Sequence, residues 1–443
     1  MTVNFDARPH LARRARLADT LREAGGGVAI LATAPERRRN RDSDFPYRHD
    51  SYFYYLTGFT EPEAVLVLVA TAAETRSLLF CRAKNEEHEI WEGFRFGPAA
   101  AAECFAFDEA APIDTLDERL PELIANQPAL WFSMGDDPAW DARLLAALNR
   151  VREGARNGVS APDRLCDVRT PLDAMRLIKD ASEIELMRRA ADITAAAHVR
   201  AMQAVRPGMH EYSLEAELLH EFRRQGAEYP AYPSIVAAGA NACVLHYTAN
   251  NGALRDGELV MIDAGCEYRS YAGDISRTFP VNGRFEGAAR DVYALVLSAQ
   301  KAAIAECTVG KRFNDPHDTA VRILSQGMLD LGLLRGSLDE VLETSAFRRF
   351  YMHRTSHWLG LDVHDCGEYK SDGEWRALEA GMVLTIEPGC YIRPADDVPE
   401  AFWNVGVRIE DDVLVTGVRP DVLTSAAPKS IADVESCMAA GRD

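Results

Sequence analysis

The segment ELVMIDAGCEYRSYAGDISRTFPV (258–281) constrains the chain more than any other. Two strand-like runs flank a turn, so the segment reads as an antiparallel hairpin. With the turn centred between Tyr268 and Arg269, Asp263 and Asp274 stand directly opposite one another on the same face, about 5 Å apart. Like charges opposed in this way destabilise a bare hairpin, and a divalent cation is the natural compensation. Asp263 also follows the apolar run LVMI directly, which places it at the end of a buried strand rather than at an exposed hairpin mouth.

Three further segments put acidic or imidazole groups where a core pattern expects apolar ones. In MVLTIEPGCY (382–391), strand alternation sets Met382, Leu384 and Ile386 on one face and Val383, Thr385 and Glu387 on the other, with Pro388 and Gly389 stopping the strand just past Glu387. In NVGVRIEDDVLV (404–415), Val405, Val407 and Ile409 share a face opposite Gly406, Arg408 and Glu410. Arg408 beside Glu410 reads as a cation supporting a ligating carboxylate. HRTSHWLGLDVHD (353–365) gathers His353, His357 and His364, three of only 11 histidines in the chain, and its Gly360 permits close backbone approach. Four carboxylates with imidazole form an oxygen-rich, hard donor set, suited to Mn²⁺, Co²⁺, Mg²⁺ or Fe²⁺ rather than to a closed thiolate zinc site. Four negative charges balance two divalent cations. A water shared between two such ions has its pKa lowered towards neutrality and becomes a hydroxide nucleophile.

The rest of the chain frames this site. Between Val28 and Val168, β-like runs (GVAILAT, EAVLVLVAT, TRSLLFCR, PALWFSMG) alternate with helical segments such as LLAALNRV, an α/β pattern. NGVSAPDRLCDVRTPL (157–172) is turn-rich and reads as a linker or domain edge. Beyond it a helix is expected, opened by a Ser182–Glu185 capping box and ended by Pro207 and Gly208, with His198 packed on its apolar stripe. From 173 to 443 long helices mix with hairpin strands, an α+β domain. The net charge of −19 argues against a nucleic-acid partner, and the basic stretch ARPHLARRARLADTLREAG reads as a solvated helix face. Nine scattered cysteines without C-x-x-C indicate reduced, cytoplasmic usage. No secretory signal is expected, and no membrane span, since the charge-free run Tyr229–Leu254 holds Pro230 and Pro233. Phosphate-loop, dinucleotide, α/β-hydrolase and H-E-x-x-H motifs are missing.

On these motifs the sequence resembles the Xaa-Pro aminopeptidases (aminopeptidase P) of the pita-bread metallopeptidases. HRTSHWLGLDVHD is similar to the proline-peptidase signature, and IDAGCEYRSYAGDISRTFPVNGRF and LTIEPGCYI look like the same family. DSDFPYRHDSYFYYLTGFTEPEAVLVL and EIWEGFRFG resemble its N-terminal domain, which the methionine aminopeptidases lack. The resemblance implies an α/β N-terminal domain over 1–172 and an α+β pita-bread catalytic domain over 173–443.

It further implies five metal ligands, Asp263, Asp274, His357, Glu387 and Glu410, with Asp274 and Glu410 bridging both ions. Asp263 would hold one ion, and His357 with Glu387 the other. His246 and His364 match histidines near the scissile carbonyl, His353 one lining the pocket for the substrate proline, and Arg408 a supporting arginine. Trp91 looks like a tryptophan that a neighbouring subunit inserts near the substrate.

The activity implied is hydrolysis of the first residue from peptides with proline in second position, with Glu387 shuttling a proton to the leaving nitrogen. The cofactor would be two divalent ions, Mn²⁺ first, with Co²⁺, Mg²⁺, Fe²⁺ and Zn²⁺ as alternatives. The chain would be a cytoplasmic homodimer or homotetramer acting on proline-containing peptides. A prolidase restricted to dipeptides is the alternative within the class. A non-catalytic pita-bread protein, or a metal-free amidinohydrolase, would have lost the ligands present here.

Overall fold

The computed structural model describes residues 5–442. It divides between Ala174 and Met175 into two compact units.

The N-terminal unit is built on a six-stranded mixed sheet in the order Glu109–Pro112, Thr75–Cys81, Val65–Ala70, Gly27–Ala32, Ala129–Phe132, Arg164–Asp167. The central run VLVLVA is buried at every position, which is what a strand covered on both faces requires. It pairs antiparallel with both neighbours, whereas the outer strands run parallel to theirs. Helices Leu116–Ile124 and Pro138–Glu153 pack Leu120, Leu123, Leu144 and Leu148 against Val28, Val67 and Leu130. The turn-rich stretch read as a linker or domain edge lies just before the division between the units and is itself ordered. Arg164–Asp167 adds a parallel edge strand beside Ala129–Phe132, and a helix follows over Arg169–Leu177. Four residues of limited β propensity gain strand geometry from a partner that the local sequence does not announce.

The C-terminal unit is α+β. Its helix Ala181–Ala204 begins with a capping box formed by Asp180 and Glu183, two residues earlier than the Ser182–Glu185 pair expected from sequence. Asp180 accepts from the backbone of Ser182 and Glu183, and Glu183 accepts from the Asp180 amide, so the helix's orphan N–H groups are already taken. The helix stops at Ala204, three residues ahead of Pro207. His198 on its inner face is fully buried and hydrogen-bonds the Ala264 carbonyl at 3.0 Å, a packed role as expected.

Three antiparallel groups carry the site. Ile235–Ala238, Leu259–Asp263 and Ser276–Pro280 form one sheet. Val383–Ile386 pairs with Asp411–Leu414, and Gly389–Ile392 with Val405–Arg408. The alternation read in the sequence is realised: Met382, Leu384 and Ile386, and Val405, Val407 and Ile409, all enter the main core. The opposite face is sealed too, because Val383 and Thr385 are also buried.

The hairpin register differs from expectation by one step. Asp263 pairs with Ser276, not with Asp274, and the turn falls on Arg269 and Ser270. Both turn residues have positive φ, 46° and 69°, the conformation of a two-residue hairpin turn that matches strand twist. Asp274 is therefore the diagonal neighbour of Asp263 on the same face. All nine cysteines are free thiols. Among the described residues no helix is long and apolar enough to cross a membrane.

Candidate active site

A cavity of about 940 Å³ opens in the C-terminal unit, lined by Asp263, Asp274, His357, Glu387 and Glu410 together with His246, His353, His364 and Arg408. The four carboxylates reach it from the ends of strands, and the histidines from loops. Asp263 closes the strand Leu259–Asp263, and Asp274 precedes Ser276–Pro280. Glu387 follows Val383–Ile386, and its amide donates to the Thr355 carbonyl at 2.8 Å. Glu410 sits between two strands; its amide donates to Ser276 O at 3.0 Å and its carboxylate accepts from the Ser276 hydroxyl at 2.7 Å. The histidine loop is bridged to the strand before Glu387 by Trp358 and Leu384. A side chain at Gly360 would run into Asp365, which accounts for the glycine.

Ligand atoms of Asp274, His357 and Glu410 lie within 4.8 Å of one another. His357 Nε2 stands 3.5 Å from Asp274 and 3.7 Å from Glu387. Its Nδ1 lies 2.9 Å from the Trp358 carbonyl, which can only accept, so Nδ1 carries the proton and Nε2 is presented to the acids. A hydrogen-bonded imidazole of this kind is the usual arrangement at a metal.

The hydroxyl of Tyr232 meets Asp263 at 2.6 Å and also hydrogen-bonds Asp274. A phenol has one proton to give, so it cannot satisfy two ionised carboxylates. Asp263 faces the Arg408 guanidinium at 2.6 Å, which leaves Asp274 as the acid that must hold a proton or face a further cation. The protonation balance agrees. Burial, reinforced by the Asp263 charge, holds Asp274 above its ordinary value. Burial lifts Glu387 to about 7 against the pull of His357 and Arg408. Burial and then the Asp274 and Glu387 charges lift Glu410 well above the carboxylate range. Burial disfavours a charged His357, but Asp274 and Glu387 outweigh it and raise the imidazole to about 9. Crowded, desolvated acids with one imidazole form a donor set that fits hard divalent cations.

Arg408 is the one buried cation lining the cavity among the described residues, and its partner differs from expectation. It donates to Asp263 at 2.6 Å, to the Ser276 hydroxyl at 2.9 Å and to the Tyr391 hydroxyl at 3.0 Å, rather than pairing with Glu410. Neighbours in sequence along one strand are parted by the adjoining hairpin, which brings Asp263 to the guanidinium. His353 lies 3.7 Å from Glu387 and 2.9 Å from the Tyr391 hydroxyl; burial and the Arg408 charge push it down to about 3, so it is neutral. His364 packs on His357 with ring centroids 4.2 Å apart, and burial lowers its pKa. His246 is exposed at the cavity wall. Trp91 lies on the helix Glu86–Glu92 of the N-terminal unit, is 87% exposed, and is not among the cavity-lining residues.

Sequence reasoning missed Tyr232, Ser276 and Tyr391. Tyr232 falls in the run that served only to exclude a membrane span, and no local pattern sets it apart.

Residues 185–417 match the family description "Metallopeptidase family M24", and residues 10–131 match "Aminopeptidase P, N-terminal domain". The Xaa-Pro aminopeptidase of Escherichia coli K12 is 45% identical over 418 residues, covering 94% of this chain and 95% of that one. The Xaa-Pro aminopeptidase of Haemophilus influenzae is 46% identical, covering 92% of each. Among solved structures, Pseudomonas aeruginosa aminopeptidase PepP superposes with a TM-score of 0.96 at 46% identity over 100% of both chains. Escherichia coli aminopeptidase P, solved in complex with substrate and, zinc-substituted, with product, superposes with a TM-score of 0.96 at 43% identity over 99% of both.

Proposed function

The chain belongs to metallopeptidase family M24 and to its Xaa-Pro aminopeptidases, and from that premise we propose how its cavity holds metal and cleaves peptides. The reaction is removal of the N-terminal residue from a peptide whose second residue is proline. The observation that carries the site assignment is the convergence of four carboxylates and one imidazole on a single cavity, where Asp263 and Asp274 share one phenol hydroxyl.

Asp263, Asp274, His357, Glu387 and Glu410 would hold two divalent ions. The oxygen-rich set favours Mn²⁺, with Co²⁺, Mg²⁺, Fe²⁺ and Zn²⁺ as alternatives. Bound there, the ions would supply an activated water as nucleophile and positive charge for the carbonyl oxygen.

The chain's own groups do the rest. Arg408 holds Asp263 in place from behind. His246 and His364 line the cavity where they can donate to the oxygen of the scissile carbonyl as charge develops on it. Glu387, at the cavity end of its strand, is placed to take a proton on its carboxylate and deliver it to the leaving proline nitrogen. His353 forms part of the wall receiving the proline ring. Proline has no N–H, so the site selects it by packing rather than by a hydrogen bond at that nitrogen. We further propose that the protein works in the cytoplasm as a dimer or tetramer, with Trp91 completing a neighbour's pocket.

The test compares an Xaa-Pro-Xaa peptide, an Xaa-Pro dipeptide and the same tripeptide with alanine replacing proline, each with metal-loaded protein. Release of the first residue from the proline tripeptide, with the alanine peptide resistant, is expected. Cleavage of the dipeptide alone would make it a prolidase, and cleavage of none would remove the peptidase reading.

A further inference from the structure

The acids lie at one part of the cavity; a different charge lies elsewhere on its wall. Arg354, Lys370 and Trp375 line the same cavity as Glu387. The Arg354 guanidinium sits 4.6 Å from the centre of the Trp375 ring, and the Lys370 ammonium 4.5 Å from the same centre. Both side chains are exposed, and neither has a carboxylate partner among the described residues. Two like charges gathered on one ring, unneutralised, in a chain of net charge −19, form a local positive field.

Glu374, in the same hairpin as Lys370, forms an ion pair with neither cation. Lys370 pairs with Trp375 across a short hairpin, so the two share a face. Glu374 points the other way by strand alternation and acts on Arg312. The hairpin is held rather than loose: Arg376 N donates to Tyr369 O at 3.1 Å, and Phe313 N to Arg376 O at 2.8 Å. Phe313 and Tyr369, ring centroids 4.8 Å apart, continue the wall beside Trp375. Arg354 follows His353 directly, so the cationic pair begins one residue beyond the group 3.7 Å from Glu387.

We propose that Arg354, Lys370 and Trp375 form a subsite that receives a carboxylate carried by the substrate downstream of its proline. The proposal rests on the peptidase reading above and adds a substrate class to it. With acids around the metal site drawing the peptide's α-ammonium inward, a cationic patch further along the wall orients the opposite end. The carboxylate comes either from an acidic side chain after the proline or from the C-terminus of a short peptide.

The test measures kcat/KM of the metal-loaded enzyme on Xaa-Pro-Glu-amide, Xaa-Pro-Gln as the free acid, and Xaa-Pro-Gln-amide. At low salt one or both carboxylate-bearing peptides should exceed the uncharged amide by about three- to ten-fold, as exposed charge pairs allow. That advantage should shrink in about 0.5 M salt. Preference for the first peptide assigns the side-chain source, and for the second the C-terminal source. In the Arg354→Gln, Lys370→Gln double variant the ratio should fall towards one, whatever the absolute rate, while Arg354→Lys keeps most of it. Equal kcat/KM for all three peptides in the wild type, or an undiminished ratio in the double variant, would overturn the subsite. Failure to cleave any of them would instead overturn the peptidase reading, and the subsite with it.

Discussion

The guanidinium of Arg408 donates to the carboxylate of Asp263 at 2.6 Å, from a strand 145 residues further along the chain. The same guanidinium is hydrogen-bonded to Ser276 and Tyr391, so its direction is fixed on three sides. Burial alone would disfavour the charged guanidinium, yet Tyr391, Asp263, Glu410 and Glu387 hold its pKa well above the ordinary value. Arg408 thus supplies the standing positive charge of an acidic cavity and fixes the direction of the Asp263 carboxylate.

Replacing it should loosen metal before it loosens the fold. Arg408→Lys cannot reproduce three directed N–H bonds. We expect metal affinity or kcat/KM to drop about 10- to 100-fold, the range for groups that orient a metal's ligands. Metal titration with steady-state kinetics checks this; unchanged affinity and rate would refute the orienting role.

Glu387→Gln keeps the shape and removes the charge and the proton acceptor. Activity should fall by about 10²-fold or more, measured on a variant whose metal content is determined in parallel. A near-wild-type rate would contradict the shuttle assignment.

Behind the histidine loop, Asp365 is buried between Arg176 at 2.6 Å and Lys179 at 3.0 Å. Burial alone would raise its pKa, but the two cations outweigh it and the carboxyl lies below its ordinary value. A depressed folded pKa means stability that is fully present above the unfolded value, about 3.9, and is lost as pH falls through the folded value. Asp365→Asn should lower stability by about 3–5 kcal/mol, because it leaves buried cations short of a counter-charge. Thermal unfolding against pH should show the variant less stable at neutrality and falling less steeply in acid. Parallel curves would contradict the linkage.

Ile90, Trp91 and Phe94 are exposed at 81%, 87% and 62% within one short stretch. This grouped exposure is what the proposed contact with a neighbouring copy would cover. Light scattering should find a dimer or tetramer, and Trp91→Ala should lower kcat/KM without moving the unfolding temperature. A fully active monomer would remove the proposed role in a neighbouring pocket.

Much of the site was legible because polar groups interrupt apolar strands at their ends: Asp263, Glu387 and Glu410 are conspicuous for that reason. What depended on precise pairing was not. The hairpin register slipped by one step because Arg269 and Ser270 adopt positive φ without the Asn or Gly that normally signals such a turn. Arg408 was matched to Glu410 by proximity in sequence, whereas the hairpin supplies Asp263. Tyr232 lies 31 residues from the nearer aspartate it binds and joins the cavity only through tertiary folding. The edge strand Arg164–Asp167 likewise exists because a neighbour pairs with it, not through its own propensity.

The most direct measurement is metal content per chain, by elemental analysis, with hydrolysis of one Xaa-Pro-Xaa peptide followed on the same sample through chelation and Mn²⁺ return. Two ions per chain in the active protein, loss of both ions and activity on chelation, and recovery of both with Mn²⁺ are expected. Full activity in protein stripped of metal, or undiminished metal uptake by an Asp274→Asn, Glu410→Gln double variant, would contradict the account.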